Sequence, residues 1–229
     1  MNTQNGETIQ QPTAVRSISG RDVEATAPLR CAYYAALSEL TASPHEIDPR
    51  PALREKIGIV SRMDDGPELD ELLSVFVECD LDDLKREYSS LFEVGSDGPP
   101  VPIREDLQTG QRSGTREELV RFYNFFNYSL DEKFAWAPDH LSVQLEFMHF
   151  LCFREASAEA NADAASYQLA QADFLQRHLL KWVPKLTRSV ESNSPGSVYC
   201  GVIRVLDEFL RRDFAWQSGT IITQEDDNG

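Results

Sequence analysis

Two short motifs contain residue types that could take part in metal or acid–base chemistry. The first runs from Glu146 to His149 and has the Glu-x-x-His spacing. Residues three apart lie on one face of a helix, so both side chains could bind one metal ion, as in the di-iron centres of helical bundles. Such a centre needs a second motif of this kind, but no glutamate stands three residues before His45, His140 or His178. The sequence therefore predicts no metal site.

The second motif is Asp139–His140, which could be a general base beside its orienting carboxylate. Adjacent residues on a helix point about 100° apart, so the two cannot orient each other as members of a triad do. The sequence also lacks a nucleophile elbow, a phosphate loop and a dinucleotide glycine motif. A structural alternative is that Pro138 and Asp139 open a helix, where a carboxylate stabilises the free N–H groups. We predict no catalytic residue and no cofactor.

Helices must position these motifs, because apolar residues recur at helical spacing in nearly every segment. Asp80 is the expected N-cap of a helix whose apolar stripe ends at Leu91 and Phe92. We expect a capping box at Thr115 and Glu118, a long helix opening at Pro138 and Asp139, and a kink or an end at Pro184. No alternating β pattern or internal repeat is present. The predicted fold is all-α, a single helical-bundle domain.

The segment from Val94 to Gly114 interrupts the helices. It contains four glycines and three prolines, among them Pro99 and Pro100, and this composition is incompatible with a continuous helix. A loop of this length inside a compact domain is usually functional or disordered. We therefore treat it as a candidate site.

The two ends of the chain differ in composition from its middle. Residues 1–21 are polar and poor in bulky apolar groups, and residues 218–229 end in an acidic run. We predict flexible tails over both segments and a helical domain over 22–217. The start lacks the features of a signal peptide, and no apolar run approaches the ~20 residues that span a bilayer. Four dispersed cysteines predict free thiols, so the expected location is the cytoplasm.

The charge balance limits the class of partner. The chain has 38 acidic and 22 basic residues and a net charge of −16. Nucleic-acid binding and stable docking on an anionic membrane both require a basic surface, so we expect neither. An acidic surface attracts basic partners. It also increases solubility and is typical of salt-adapted hosts, and composition does not separate these readings.

Three motifs in a fixed order carry a resemblance to a known family. They are Tyr88–Phe92 (Tyr-x-x-Leu-Phe), the Gly/Pro loop at Gly98–Asp106, and Pro138–Leu141 (Pro-Asp-His-Leu). A later segment, Phe174–Trp182, contains the Phe, His-Leu and Trp of the same pattern. Over roughly Leu29 to Phe214 the chain resembles the TorD/DmsD/NarJ group of redox-enzyme maturation chaperones, especially those that serve type II enzymes of the DMSO reductase family.

The resemblance implies an all-helical, non-catalytic chaperone of the TorD-like type. Such proteins bind the apo catalytic subunit of a molybdopterin oxidoreductase, often at its N-terminal leader, while the molybdenum cofactor is inserted. In this sequence the expected partner-binding residues are Tyr88, Leu91, Phe92, Pro99, Pro100, Asp139 and His140. Tyr88 and Leu91 could equally be core residues of their helix. Leaders of the twin-arginine type would be recognised by acidic groups beside an apolar groove. The alternative is an acidic helical adaptor or regulatory protein with another partner.

Overall fold

A computed structural model describes residues 15–18, 21–62, 66–96, 98–110, 114–130, 137–159 and 161–224. Within these ranges the chain is mostly helical. The α-helices are α1 Val23–Thr41, α2 Arg50–Arg54, α3 Gly66–Glu78, α4 Leu81–Phe92, α5 Glu105–Thr109, α6 Thr115–Phe125, α7 Leu141–Ala156, α8 Asn161–Phe174, α9 Leu180–Asn193 and α10 Val198–Thr220. A 3-10 turn (Val60–Arg62) precedes α3, and a π-helical turn (Leu175–Leu179) joins α8 to α9. The all-α prediction is confirmed.

A two-stranded antiparallel sheet lies inside the segments that we expected to be tails. Strand β1 (Val15–Ile18) pairs with β2 (Ile221–Gln224), and Val15 stands opposite Gln224. Helix α10 runs to Thr220, a few residues beyond the predicted end of the domain. The remaining tail residues, 1–14, 19–20 and 225–229, lie outside the described residues. The flexibility of the two tails and the domain limits stay predictions.

The helix starts follow from local capping chemistry, with one shift. The Asp80 side chain accepts hydrogen bonds from the N–H groups of Asp82 and Asp83, so its predicted N-cap role is confirmed. The expected box of Thr115 and Glu118 is wrong by one residue, because Gly114 is the N-cap and donates its N–H to Glu117. Gly114 has φ +98°, which favours glycine over other residues.

The long helix α7 begins at Leu141 rather than at Pro138. His140 is its N-cap, with an extended backbone and a side chain that accepts from the Ser142 N–H. The predicted opening at Pro138 and Asp139 is therefore wrong. Helix α9 does not end at Pro184, since it continues to Asn193, and the kink expected there stays a prediction. A departure from α geometry occurs earlier, at the π turn.

Helix α7 lies at the centre of a single hydrophobic core. It packs against α1 on one side and α8 on another, while α10 packs against α9. The buried apolar residues of α7 are Leu141, Val143, Leu145, Phe147, Met148, Leu151 and Cys152. This breadth explains why its apolar pattern is not confined to one narrow stripe. Among the helices that the structure describes, none is both long and apolar enough to cross a membrane.

The four cysteines are free thiols, as predicted. Cys152 and Cys200 are buried, whereas Cys31 and Cys79 are partly exposed. Burial raises the pKa of the Cys31 thiol to about 11. Because the thiolate is the reactive form, this cysteine is held in an unreactive state at neutral pH.

A buried ion cluster joins three helices away from the Gly/Pro loop. Arg30 of α1 binds both oxygens of Asp213 on α10, at 2.5 and 2.9 Å. Tyr34 donates to the same carboxylate at 2.6 Å, and Arg30 also approaches Glu155 at 3.4 Å. Burial would raise the pKa of Asp213, but the charge of Arg30 and the hydrogen bonds from Arg30, Tyr34 and Gln217 together lower it. The cluster fixes α1 against α10 and α7.

We expect Asp213→Ala to destabilise the fold by about 3–5 kcal/mol, because it leaves the buried Arg30 cation without its partner. The measurement is urea unfolding followed by circular dichroism. The matched control is Asp83→Ala, which removes the exposed ion pair with Arg86 and should cost less than about 1 kcal/mol. Equal losses in the two variants would contradict the assigned role of the cluster.

Candidate functional site

The Gly/Pro loop, the end of α4 and the start of α7 enclose a cleft of about 340 Å³. Its lining residues are Ser43, Glu46, Tyr88, Phe92, Glu93, Pro99, Ile103, Arg104, Leu107, Ala137, His140 and Ser142. Most of the exposed lining is apolar or aromatic. We call this feature the α4–α7 cleft. Its size and mixed lining are typical of sites that bind one or two side chains of a ligand.

Four of the seven residues that the sequence singled out line this cleft: Tyr88, Phe92, Pro99 and His140. The other three lie behind or beside it. Leu91 is buried, and its carbonyl oxygen accepts from the Val101 N–H at 2.9 Å. Pro100 is exposed but does not line the cleft, and Asp139 is fully buried.

Two extended segments pair side by side to form the inner wall. Arg104 and His140 form an antiparallel bridge. On either side of it, the Glu105 N–H donates to the Asp139 carbonyl at 3.0 Å, and the Leu141 N–H donates to the Ile103 carbonyl at 3.1 Å. This pairing brings the Gly/Pro loop and the Pro-Asp-His motif together.

Asp139 holds the wall through charge. Its carboxylate accepts from Arg104 Nη2 at 2.8 Å and from the backbone N–H of Asp106 at 3.3 Å, and Arg116 Nε lies 3.3 Å away. The carboxylate therefore stabilises the first turn of α5, and the expectation that it acts at the start of its own helix is wrong. Burial favours the neutral form, but hydrogen bonds from Asp106 and Arg104 outweigh it and lower the pKa of Asp139.

Asp106 is the partner acid of this network. Burial, followed by its contact with Asp139, raises the pKa of Asp106 to about 6. Its buried Oδ1 has no hydrogen-bond donor among the described residues, as expected when the neighbour is a second carboxylate. The negative charge of Asp139 favours a proton on Asp106, which is lost as the pH rises through about 6. Arg116 Nη2 binds the other oxygen of Asp106 at 2.9 Å.

His140 forms part of the cleft surface in a fixed neutral state. Its Nδ1 accepts from the Ser142 N–H at 3.2 Å, so Nε2 carries the proton and faces the Tyr88 hydroxyl at 3.2 Å. That hydroxyl can then donate to the Thr41 carbonyl at 3.3 Å. Burial, assisted by the Arg104 cation, lowers the pKa of His140 to about 4.

A second polar network behind the wall was not assigned a role from the sequence. The buried Glu105 carboxylate accepts from Gln144 Nε2 at 2.7 Å and from His178 Nδ1 at 3.1 Å. Trp182 Nε1 donates to Gln144 Oε1 at 3.3 Å. The network ties α5 to α7, the π turn and α9. The available signal was a polar residue, Gln144, on the apolar side of its helix.

The Glu-x-x-His motif is not part of this site. Glu146 is exposed, and His149 Nδ1 lies 3.0 Å from the Cys31 carbonyl oxygen on α1. In the ranges that the structure describes, no group of three or more His, Cys, Asp and Glu side chains could hold a metal ion. His149 thus belongs to the contact between α1 and α7.

The low pKa of His140 predicts a pH effect on stability. Below about pH 6.5 the unfolded chain binds a proton at this histidine, while the folded chain does so only near pH 4. Folding is therefore disfavoured as the pH falls through this window. His140→Asn keeps a good N-cap residue but cannot titrate. Relative to this variant, we expect wild type to lose about 2 kcal/mol of unfolding free energy between about pH 7 and pH 4.5.

Urea unfolding of both proteins across this pH range measures the difference. Parallel stability curves would mean that His140 titrates normally in the folded chain.

Comparison with known proteins agrees with the motifs. The sequence model of the family described as nitrate reductase delta subunit matches residues 63–188, more than half of the chain. The selenate reductase assembly chaperone protein of Thauera selenatis is 38% identical over 112 residues, which are 48% of this chain and 58% of that protein. The chlorate reductase assembly chaperone protein of Ideonella dechloratans has the same identity and coverage. The alignments thus span less than two thirds of these relatives.

One solved structure is also similar. A protein of Archaeoglobus fulgidus described as a redox enzyme maturation protein aligns with a TM-score of 0.49 and 21% identity, over 85% of this chain and 97% of that chain. On the match to residues 63–188, the chain belongs to the nitrate reductase delta subunit family, which confirms its resemblance to the TorD/DmsD/NarJ group.

Proposed function

We propose that the chain is a non-catalytic, system-specific chaperone. It would bind the apo catalytic subunit of a molybdopterin oxidoreductase of the DMSO reductase family and hold it while the molybdenum cofactor is inserted. Support comes from family membership and from relatives named as assembly chaperones of selenate, chlorate and perchlorate reductases. The observation that carries the proposal is the meeting of the family's motifs around one cleft.

The cleft is suited to an apolar side chain of the client. Tyr88, Phe92, Pro99 and Leu107 supply its apolar surface, and Leu107 is 42% exposed. Arg104 is the basic residue of the lining, but its charge is balanced by Asp139. An apolar group that enters the cleft therefore displaces water without separating the buried ion pair. Burial of one large side chain contributes about 1.5–3 kcal/mol.

The rim of the cleft is acidic. Glu46 and Glu93 both line it, and Glu93 accepts hydrogen bonds from Ser43 at 3.1 Å and Ser89 at 2.7 Å. Two carboxylates beside an apolar cavity favour a segment in which basic residues flank an apolar one. This chemistry suits an N-terminal leader of the client, including one of the twin-arginine type. We place the encounter in the cytoplasm, without stable membrane association and without nucleic acid.

The polar groups of the cleft favour holding over catalysis. Both ring nitrogens of His140 are hydrogen-bonded, and a pKa near 4 makes it a weak base at neutral pH. Arg104 and Asp139 are engaged with each other. These three side chains thus maintain the shape of the wall. The site residues act as a rigid receptor for a partner, and no step of covalent chemistry is assigned to them.

A pulldown of the tagged full chain from its native host tests this function. We expect a molybdopterin-enzyme catalytic subunit in the eluate. Leu107→Glu, which places a charge in the cleft, should lower its recovery by about 10-fold or more. Ile59→Glu is the matched control, because Ile59 is 41% exposed and does not line the cleft.

Recovery of unrelated proteins only, while the enzyme is expressed in the same cells, would overturn the proposal in favour of the acidic adaptor. An equal loss of recovery in both variants would mean that the client does not bind at the cleft.

Leader binding has a separate test. Fluorescence anisotropy would measure the affinity for a synthetic peptide that carries the N-terminal leader of the recovered client. We expect the dissociation constant to rise with salt, because exposed charges are screened. Glu46→Gln with Glu93→Gln should weaken binding by about 2- to 10-fold at low salt and flatten the salt dependence. Glu208→Gln, on α10, is the control. A salt-independent affinity would show that the carboxylates of the rim do not bind the basic residues of the peptide.

A further inference from the structure

A second apolar surface lies between α6 and α8, apart from the α4–α7 cleft. It is a groove of about 500 Å³ whose apolar lining is Phe122, Phe125, Phe126, Leu169 and Ala170. We call it the α6–α8 groove. Phe125 stands at its edge with 79% of its surface exposed. So large an exposed aromatic, next to a groove, is typical of an interaction surface.

The aromatic side chains of the groove are held in place by contacts that lead into the core. The Phe125 ring packs edge-on against Phe126 at 4.9 Å, and Phe126 stacks on Phe122 at 5.8 Å. Phe122 in turn packs against the buried Phe174 at 5.3 Å. Phe125 is therefore a projecting side chain on a fixed aromatic base. Ordering it on binding costs little conformational entropy.

The charges around the groove are balanced, unlike those of the whole chain. Its lining includes the ion pair of Glu118 with Arg177, and also Arg121 and Asp173. The groove between α3 and α10 differs, with Glu68, Glu71 and Glu208 against the single Arg204. A protein of net charge −16 repels its own copies. Repulsion is weakest where acidic and basic groups occur in equal number, and such a face can form ion pairs with itself.

We propose that two copies of this chain pair through the α6–α8 groove about a two-fold axis, with Phe125 of each copy in the groove of the other. A two-fold contact requires a surface that is complementary to itself. This face has the projecting aromatic and the receiving groove side by side, together with charges of both signs. No other described element covers the Phe125 side chain.

The pairing goes beyond the proposed chaperone function and does not depend on it. None of the residues that line the α6–α8 groove lines the α4–α7 cleft. The pairing therefore uses residues that the cleft does not use. Tests of client binding and of self-association can then fail independently.

Sedimentation equilibrium of the purified full chain, between about 1 and 100 µM, tests the pairing. We expect the mass to rise with concentration from the 25.9 kDa of one chain towards twice that value. Phe125→Asp should raise the dissociation constant by about 100-fold or more, since the two-fold axis places the change in the contact twice. Arg121→Glu should raise it by about 10-fold through like-charge repulsion.

Phe153→Asp is the matched control. Phe153 is 54% exposed and does not line the groove, so we expect the variant to have the dimer dissociation constant of the wild type. Melting curves would test whether each variant is folded. If Phe125→Asp does not fold, Arg121→Glu tests the pairing instead. The proposal is overturned if the wild-type chain is a monomer at every concentration. This holds also if that monomer binds a reductase subunit through the α6–α8 groove. It is also overturned by a dimer that persists in Phe125→Asp or that Phe153→Asp disrupts equally.

Discussion

The candidate site depends on the contact between the Asp139 carboxylate and the Arg104 guanidinium. Asp139 is fully buried, and a buried carboxylate is tolerated only when cations and N–H groups surround it. Arg104 and the first turn of α5 satisfy that requirement. The Gly/Pro loop must therefore return to the start of α7, and this return creates the inner wall of the cleft. His140 and Tyr88 then meet across it.

Two further buried polar networks fix the relative positions of helices. Around Glu105, hydrogen bonds from Gln144 and His178 join the loop to the core. Around Arg30, the ion pair with Asp213 joins α1 to α10. Such networks add little net stability compared with apolar packing, but they strongly disfavour misplaced partners. In a protein proposed to hold another chain, they keep a receptor rigid while its apolar cleft stays open.

The parts that could be predicted from the sequence are those set by neighbouring residues. The helical fold follows from apolar periodicity, and the Asp80 cap follows from a side chain that bonds two or three residues ahead. The order of short motifs singled out Tyr88, Phe92, Pro99 and His140, and all four line the cleft. The function of Asp139 could not be derived in this way. Its partner Arg104 is 35 residues away, and periodicity gives no information about ion pairs at that separation.

The π turn at Leu175–Leu179 sets the rotational register between α8 and α9. It fits one more residue into the turn than an α-helix would, and each residue of an α-helix turns the chain by about 100°. The turn thus lets Phe174 before it and Trp182 after it both face the core, where they are buried. Loss of a single residue here would leave the helix unbroken but rotate all of α9 about its axis. Trp182 would then lose its hydrogen bond to Gln144, so the buried contacts of α9 depend on the length of this short segment.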